Sequence, residues 1–144
     1  MSKQIVHKVR FGEVDGAGIV FYPRYFEMLN EAVEDWFEEQ IGVSFAELHL
    51  KRGIGTPTVA IEAHFEAPSR LGEELVITIT PVELSRASCK LNFAIACEGQ
   101  TRMRAFSVLV CMDLEAQKSA PWPADVRAAI EANIRGSGGN DGVA

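Results

Sequence analysis

The sequence has few cysteines and histidines, the residues that form disulfides or bind zinc and similar metals. Its cysteines and histidines are Cys89, Cys97, Cys111, His7, His49 and His64. The cysteines are odd in number, lie inside apparent strands and form no Cys-x-x-Cys pair, which favours buried free thiols over disulfides. The histidines lie far apart without metal-ligand spacing. We therefore predict no metal site.

The sequence also lacks an excess of positive charge and any long uncharged apolar run. Its 14 Lys and Arg against 20 Asp and Glu give a net charge of −6 and a pI near 5.1, which argues against nucleic-acid binding. The apolar segments are too short for a transmembrane helix, and the N-terminal residues include no signal-peptide core. We expect a soluble cytoplasmic protein with no membrane partner. A length of 144 residues suits one domain.

Helical periodicity marks one long amphipathic helix early in the chain. Its apolar residues recur at helical spacing: Phe26, Leu29, Val33, Trp36, Phe37 and Ile41. The opposite face is acidic and is typical of a solvated surface. Gly42 predicts the end of the helix.

Strands with alternating patterns precede and follow this helix. The alternation predicts five: about 5–11, 58–65, 75–84, 89–97 and 102–113. Pro81 should lie at a bulge or an unpaired edge. The last strand is apolar on both sides, which predicts burial of both faces and a central position.

The order of these elements limits the fold class. No helix separates the later strands, so a parallel doubly wound sheet is excluded and an antiparallel α+β arrangement over the long helix is favoured. A short helix from 124 to 135 should follow. We assign residues 1–135 to the single domain, and residues 136–144, rich in Gly, to a flexible tail.

The stretch Phe11–Phe26 joins the first strand to the long helix through a loop rich in glycine. The loop carries Asp15 among Gly12, Gly16 and Gly18, and Pro23 after it suits the first turn of a helix. Free N–H groups at a helix start favour an anion or a developing oxyanion. The loop can therefore form a catalytic site with Asp15 as its carboxylate. Asp beside Gly is also a common turn or cap residue.

The segment Asp15-Gly-Ala-Gly-Ile-Val-Phe-Tyr-Pro-Arg-Tyr resembles the active-site stretch of the 4-hydroxybenzoyl-CoA thioesterase family, whose members have the hotdog fold. The segment Arg52-Gly-Ile-Gly-Thr-Pro-Thr-Val is similar to the one that opens the family's central sheet, and the order of elements fits from about residue 4 to residue 113. The resemblance implies an antiparallel five-stranded sheet wrapped around one long helix. It also implies a homodimer or homotetramer whose subunits complete each active site together.

The family resemblance implies a role for several residues. Asp15 would be the catalytic carboxylate, as nucleophile or as general base, and the Tyr22 backbone N–H would polarise the thioester carbonyl. Glu13 is the competing carboxylate, which we interpret as a solvated or supporting group. The residues expected to shape the acyl pocket are Gly18, Phe21, Tyr25 and Thr56, although Tyr25 could simply pack in the core and Thr56 could simply open a strand.

The implied substrate is an acyl-CoA, either aromatic like 4-hydroxybenzoyl-CoA or short-chain, and no separate cofactor is needed because CoA is part of the substrate. Arg86 and Lys90 lie where the family's basic residues bind the nucleotide. The neighbouring Ser85, Ala87 and Ser88 are neutral, a departure from the family's denser basic cluster. A hotdog dehydratase would need a His and acid pair that is absent around the helix. A non-catalytic acyl-CoA-binding subunit is the alternative.

Overall fold

The computed structural model describes residues 2–141, with side chains for residues 2–136. In chain order the elements are β1 (Lys3–Lys8), a 3-10 turn (Phe11–Glu13), α1 (Pro23–Trp36), π-helical turns at Phe37–Ile41 and Ala46–Lys51, β2 (Ile54–Gly55), β3 (Thr58–Phe65), β4 (Glu74–Leu84), β5 (Ser88–Cys97), β6 (Gln100–Val110), β7 (Met112–Asp113), β8 (Lys118–Ser119) and α2 (Ala124–Asp141). Across the described chain, no helix combines the length and the apolar character needed to cross a bilayer.

Five antiparallel strands form the main sheet in the order β1-β4-β5-β6-β3, and α1 packs against it. A small second sheet pairs β2, β7 and β8. The predicted α+β class and five-stranded hotdog architecture are therefore confirmed.

The helix α1 supplies the centre of the core. Its buried residues follow helical spacing: Tyr25, Met28, Leu29, Ala32, Val33 and Trp36. Burying a large apolar side chain contributes about 1.5–3 kcal/mol, which outweighs the weak repulsion along the acidic face. The helix continues through the π turn and ends at Gly42, whose φ of 87° is a left-handed conformation suited to glycine. The predicted helix end is confirmed.

The cysteines lie in strands or at a strand end and contribute to the core. Cys89, Cys97 and Cys111 are all free and buried, as predicted. Burial raises the pKa of the Cys89 thiol to about 12. Since the thiolate is the reactive form, Cys89 is an inert core residue.

Strands β4 and β5 match the sequence patterns closely. The alternating apolar face of β5 is buried along its whole length. Pro81 lies where the β4–β5 register shifts between Pro81 and Glu83, which confirms the predicted bulge.

The prediction for β6 is partly wrong. The strand is internal, and Met103 and Leu109 on its inner face are buried. Its other face is not buried, since Phe106 is 37% exposed and Val108 only half-buried. No element of the described chain covers that side of the sheet, so an apolar pattern on both sides did not produce burial on both sides.

Strand β3 lies at the edge of the sheet and is open to solvent. Ile61 and Phe65 pair with the buried Ser107 and Met103 of β6, yet both are about half exposed. Val59, at a shift in the β3–β6 register, is 60% exposed. The helix covers the central strands and leaves this edge uncovered. An apolar edge strand of eight residues is a surface that favours pairing with another strand.

The C-terminal helix α2 packs against β4, with Val126 and Ile130 buried. It extends to Asp141, so the predicted boundary at residue 135 falls inside the helix. The flexibility predicted for the tail 136–144 stays a prediction, and residues 142–144 lie outside the described part of the chain.

Candidate active site

The loop after β1 folds into a tight turn around Asp15. The Asp15 carboxylate is exposed, and its Oδ1 accepts hydrogen bonds from the N–H of Ala17 at 2.8 Å and of Ile19 at 3.4 Å. The backbone closes the same turn, with the Asp15 N–H donating to the Ile19 carbonyl at 2.9 Å. Asp15 thus makes the turn contacts expected of Asp beside Gly. Among the described residues only one of its oxygens is occupied, so the other is available for chemistry.

Of the three loop glycines, Gly18 is the one whose backbone requires glycine. Its φ is 79°, and its N–H donates to the Asp15 carbonyl at 3.0 Å. A side chain here would strain the turn that presents the carboxylate. Gly18 therefore shapes the loop through its backbone.

The start of α1 presents a free donor near this turn. Tyr22 is the residue before Pro23, and within the described chain its N–H has no hydrogen-bond acceptor. Pro23 has no N–H, and the N–H groups of Arg24 and Tyr25 are already bonded to the Phe21 and Tyr22 carbonyls. The Tyr22 N–H therefore lies unbonded at the positive end of the helix dipole, where it can receive an oxyanion.

Glu13, the competing carboxylate, is occupied by local contacts. Its side chain accepts the Arg10 N–H at 2.8 Å and contacts the His7 Nε2 at 2.8 Å. Its carbonyl also accepts the Phe21 N–H at 2.9 Å. Glu13 therefore ties the end of β1 to the residues before α1, and it engages His7, a contact that the sequence did not suggest.

An aromatic cluster lies beside the Tyr22 backbone. The ring of Phe65 contacts Tyr22, Tyr25 and Phe26 with ring centroids 5.7–6.3 Å apart. Tyr22 and Phe21 are exposed, whereas Tyr25 is buried in the core. A cavity of about 340 Å³ opens here, lined in part by Val20, Tyr22, Tyr25, Phe65 and Pro68.

Sequence reasoning missed Phe65, which it placed only at the end of the alternating strand 58–65. Ile61, Ala63 and Phe65 occupy every second position, as apolar residues do in any half-buried strand. This pattern therefore contained no signal for a functional site. The signal is spatial, because β3 places the ring over the start of α1.

Thr56 lies in a different cavity, farther along α1. This cavity, of about 320 Å³, lies between α1 and the β3 and β6 strands, and its lining includes Thr56, Phe26, Asn30, Ile61, Ser107 and Leu109. Its walls are mostly apolar with a few hydroxyl and amide groups. Such a lining is typical of a pocket for a small organic group.

Arg86 and Lys90 lie at the opposite end of the sheet from Asp15. The Asp15 loop follows β1, whose last residue pairs with Glu74 at the beginning of β4, whereas Lys90 pairs with Glu83 near its end. Strand β4 has 11 residues, so its ends are about 30 Å apart. One chain does not bring the predicted basic residues to the predicted carboxylate.

The two basic residues also differ in their surroundings. Lys90 forms an ion pair with Glu83 at 3.0 Å. Arg86 is exposed, and no carboxylate of the described residues pairs with its guanidinium. Arg86 is therefore the more available of the two for an external phosphate.

The turn Pro68–Glu73 packs against the Asp15 loop through two backbone hydrogen bonds. The Val20 N–H donates to the Ser69 carbonyl at 2.8 Å, and the Leu71 N–H donates to the Gly18 carbonyl at 3.1 Å. Beneath the turn, Arg102 donates to both carboxylate oxygens of Glu73, at 2.7 and 3.1 Å. The bidentate hydrogen bonds to Arg102 lower the pKa of Glu73 from 4.5 to about 2.

The low pKa of Glu73 predicts an acid-sensitive contribution to stability. Because this pKa is lower in the folded state, the contribution is complete above pH 4.5 and is lost as the pH falls towards 2. Replacing Glu73 by Gln should flatten the decline of the unfolding free energy over this range. Urea unfolding at several pH values between about 5 and about 2.5 measures both slopes, and equal slopes in wild type and variant would contradict the assignment.

Comparisons with known proteins agree with this fold. Residues 9–130 match the thioesterase-like superfamily. A 1,4-dihydroxy-2-naphthoyl-CoA hydrolase of Synechocystis is 30% identical over 125 residues, covering 85% of this chain and 90% of the relative. The chain therefore belongs to the thioesterase-like superfamily.

Solved structures show the same likeness. The crystal structure of a 1,4-dihydroxy-2-naphthoyl-CoA thioesterase from Synechocystis superposes with a TM-score of 0.81 at 26% identity, covering 90% of this chain and 96% of that one. A gentisyl-coenzyme A thioesterase superposes with a TM-score of 0.79 at 29% identity, covering 87% and 99%. These relatives are thioester hydrolases, and this chain is a thioester hydrolase of the same superfamily. None of these relatives is named a 4-hydroxybenzoyl-CoA thioesterase. The prediction from the sequence is therefore confirmed for the thioesterase superfamily and not for that particular family.

Proposed function

We propose that the protein is an acyl-CoA thioesterase that uses Asp15 and the Tyr22 N–H. The observation that carries this proposal is the pairing, on one short loop, of an exposed carboxylate with an unbonded N–H at a helix start. Thioester hydrolysis needs a group that attacks or activates water and a donor for the developing oxyanion. The loop supplies one of each.

The reaction follows from these two groups. Asp15 attacks the carbonyl carbon, or removes a proton from the water that attacks it, while the Tyr22 N–H stabilises the carbonyl oxygen as it becomes negative. The C–S bond then breaks and the electron pair leaves with the CoA sulfur as a thiolate. If Asp15 is the nucleophile, water hydrolyses the mixed anhydride and regenerates the carboxylate. The products are the free acid and CoA.

A second copy of the chain would complete the site. In an antiparallel pair of β3 strands related by a two-fold axis, the Thr58 end of one strand meets the Phe65 end of the other. Phe65 lies beside Tyr22, whereas Thr58, Leu109 and Cys89 align across β3, β6 and β5 at the end that carries Arg86. Dimerisation would therefore bring Thr56, Arg86 and Lys90 of the second copy towards the Asp15 loop. The uncovered apolar residues of β3 support this arrangement.

We infer that the acyl group is aromatic and bears hydroxyl groups. The cavity that contains Thr56 has apolar walls with Asn30 and Ser107 among them, which suits a ring with polar substituents. The relatives with stated substrates act on dihydroxynaphthoyl-CoA and gentisyl-CoA, which are both of this kind. A short aliphatic acyl group would leave much of the cavity unfilled.

Thiol release from a panel of acyl-CoAs tests the proposed substrate class. Hydroxybenzoyl, dihydroxynaphthoyl and gentisyl thioesters should give kcat/KM values at least about tenfold above those of acetyl and isobutyryl thioesters, because the larger ring contributes more binding energy. A clear preference for the aliphatic thioesters would contradict the aromatic assignment and leave the thioesterase class intact.

The role proposed for Arg86 gives a separate prediction. Because Arg86 is exposed and unpaired among the described residues, Arg86→Glu should raise the KM for acyl-CoA about tenfold through repulsion of the CoA phosphates. The KM for the same acyl group on pantetheine, which lacks the nucleotide, should not change. Steady-state kinetics with both substrates measures the difference, and equal effects on both would refute a phosphate contact.

A further inference from the structure

The Asp15 loop depends for its shape on a neighbouring turn. Residues 15–22 contain no helix or strand longer than an isolated bridge, and the loop contacts the turn Pro68–Glu73 through the Val20–Ser69 and Leu71–Gly18 backbone hydrogen bonds and a bridge between Ile19 and Arg70. The last residue of the turn also holds the end of β1, since the Glu73 carbonyl accepts the Val9 N–H at 2.8 Å. A shift of the turn would therefore shift the carboxylate.

Arg102 fixes both ends of this turn. Its Nη1 donates to the Pro68 carbonyl at 3.0 Å and to Glu73 Oε1 at 2.7 Å, and its Nη2 donates to Glu73 Oε2 at 3.1 Å. Glu73 in turn accepts the Arg70 N–H at 2.6 Å. One guanidinium thus joins the first and last residues of the turn. Its donors lie in a fixed plane, a geometry that the ammonium group of Lys cannot reproduce.

A β-bulge places Arg102 in this position. Along the β5–β6 pair, Ile95 is opposite Met103 and Ala96 is opposite Thr101, so Arg102 is the extra residue on β6. The bulge turns its side chain inward, where Arg102 is only 7% exposed, although the strand pattern would otherwise direct it to the solvent side. Bulges that redirect one side chain are frequent beside active sites.

Stability alone does not account for this arrangement. A buried ion pair gains little over well-packed apolar residues of similar size, because desolvation offsets the attraction between the charges. Here the Arg102 Nε has no hydrogen-bond partner among the described residues, which adds to that cost. The pair does provide geometry, since it sets the distance between two backbone points beneath the loop.

We propose that Arg102 and Glu73 are positioning residues for catalysis, which hold the Asp15 loop in its reactive geometry through the turn Pro68–Glu73. This inference rests on the proposed thioesterase function. It adds two residues that do not touch the substrate and act through the loop. Misplacing a catalytic group by about 1 Å is enough to cost about a hundredfold in rate.

The test uses the double variant Arg102→Met/Glu73→Gln in the full-length protein. It removes both charges together, so no unpaired charge is buried, and the introduced glutamine side chain retains an oxygen for the Arg70 N–H. We expect kcat to fall at least about tenfold and KM to change less than about threefold. Amide hydrogen exchange of residues 15–22 should become about tenfold faster, while exchange in the β4 and β5 strands and the thermal midpoint stay close to wild type.

The variant Arg104→Met is the matched control. Arg104 lies two residues farther along β6 and pairs with Glu66 at 2.8 Å, but this pair is exposed. It should leave kcat, KM and loop exchange within about twofold of wild type. The single variant Arg102→Lys, which keeps the charge and loses the planar fork, should reproduce the fall in kcat in a folded protein.

The proposal would be overturned by a double variant with kcat within about twofold of wild type, or by a fall in kcat with unchanged exchange in residues 15–22. A loss of activity that only follows the unfolded fraction would also overturn it. Wild-type protein without thioesterase activity would instead refute the proposed function, and the exchange comparison would still decide whether the ion pair holds the loop.

Discussion

Asp15→Asn should lower kcat about a thousandfold and leave the KM for acyl-CoA within about threefold of wild type. The side-chain amide oxygen of Asn can accept the Ala17 and Ile19 N–H groups as Asp15 Oδ1 does, so the turn should keep its shape. The substitution removes only the negative charge and the basicity that attack the carbonyl or activate water. Thiol release under steady-state conditions measures both constants.

The chain contains a matched control for this substitution. Asp113 also closes a turn with its side chain, and its Oδ1 accepts the Glu115 and Ala116 N–H groups at 3.0 and 3.2 Å. Asp113→Asn is chemically the same change in the hairpin between β7 and β8, and it should leave turnover unchanged. If Asp15→Asn retained more than half of the wild-type kcat, Asp15 would be a turn residue only.

Val59→Lys should convert a dimer into a monomer and reduce activity at least about a hundredfold. Val59 is 60% exposed on the edge strand β3. In a dimer paired through β3 this residue lies in the interface, and an unpaired charge there carries a large desolvation cost. We expect activity to depend on the proposed dimer, because Arg86 and the Asp15 loop of one chain lie at opposite ends of the sheet and the second copy would bring its Thr56, Arg86 and Lys90 towards that loop.

Light scattering coupled to gel filtration measures the expected change in molecular mass. The wild-type protein should have at least about twice the chain mass of 15.8 kDa, and the Val59→Lys protein should have the mass of one chain. Leu50→Lys is the control, because Leu50 is an even more exposed apolar residue, at 84%, and lies outside β3. It should change neither mass nor activity. A Val59→Lys protein that stays dimeric and active would show that β3 is not the pairing edge.

The sequence predicted the fold well where one face of an element alternates cleanly. The predicted apolar positions of the long helix and of β5 are buried except for Phe26, which is half-buried, and Pro81 predicted the bulge in β4. The pattern failed for β6, where apolar residues on both sides did not lead to burial on both sides. Periodicity reports which residues prefer burial, and the number of layers around a sheet decides how many of them obtain it.

The candidate site was predictable only where it is continuous in sequence. The Asp15 loop and the start of α1 are neighbours along the chain, so their glycines and Pro23 indicated the turn and the free donor. Phe65 and Arg102 reach the same region through sheet topology and a bulge, which a single sequence does not encode visibly. The wide separation of Arg86 from Asp15 in one chain likewise appears only once the strand register is known.

The most direct test of the central claim is the fate of an aromatic acyl-CoA incubated with the wild-type protein. Chromatography of the mixture should show the free acid and CoA appearing in equal amounts, with many turnovers per protein molecule. Retention of intact thioester bound to the protein, with neither product formed across the panel of acyl-CoAs, would contradict the account. That result would instead indicate a non-catalytic acyl-CoA-binding subunit.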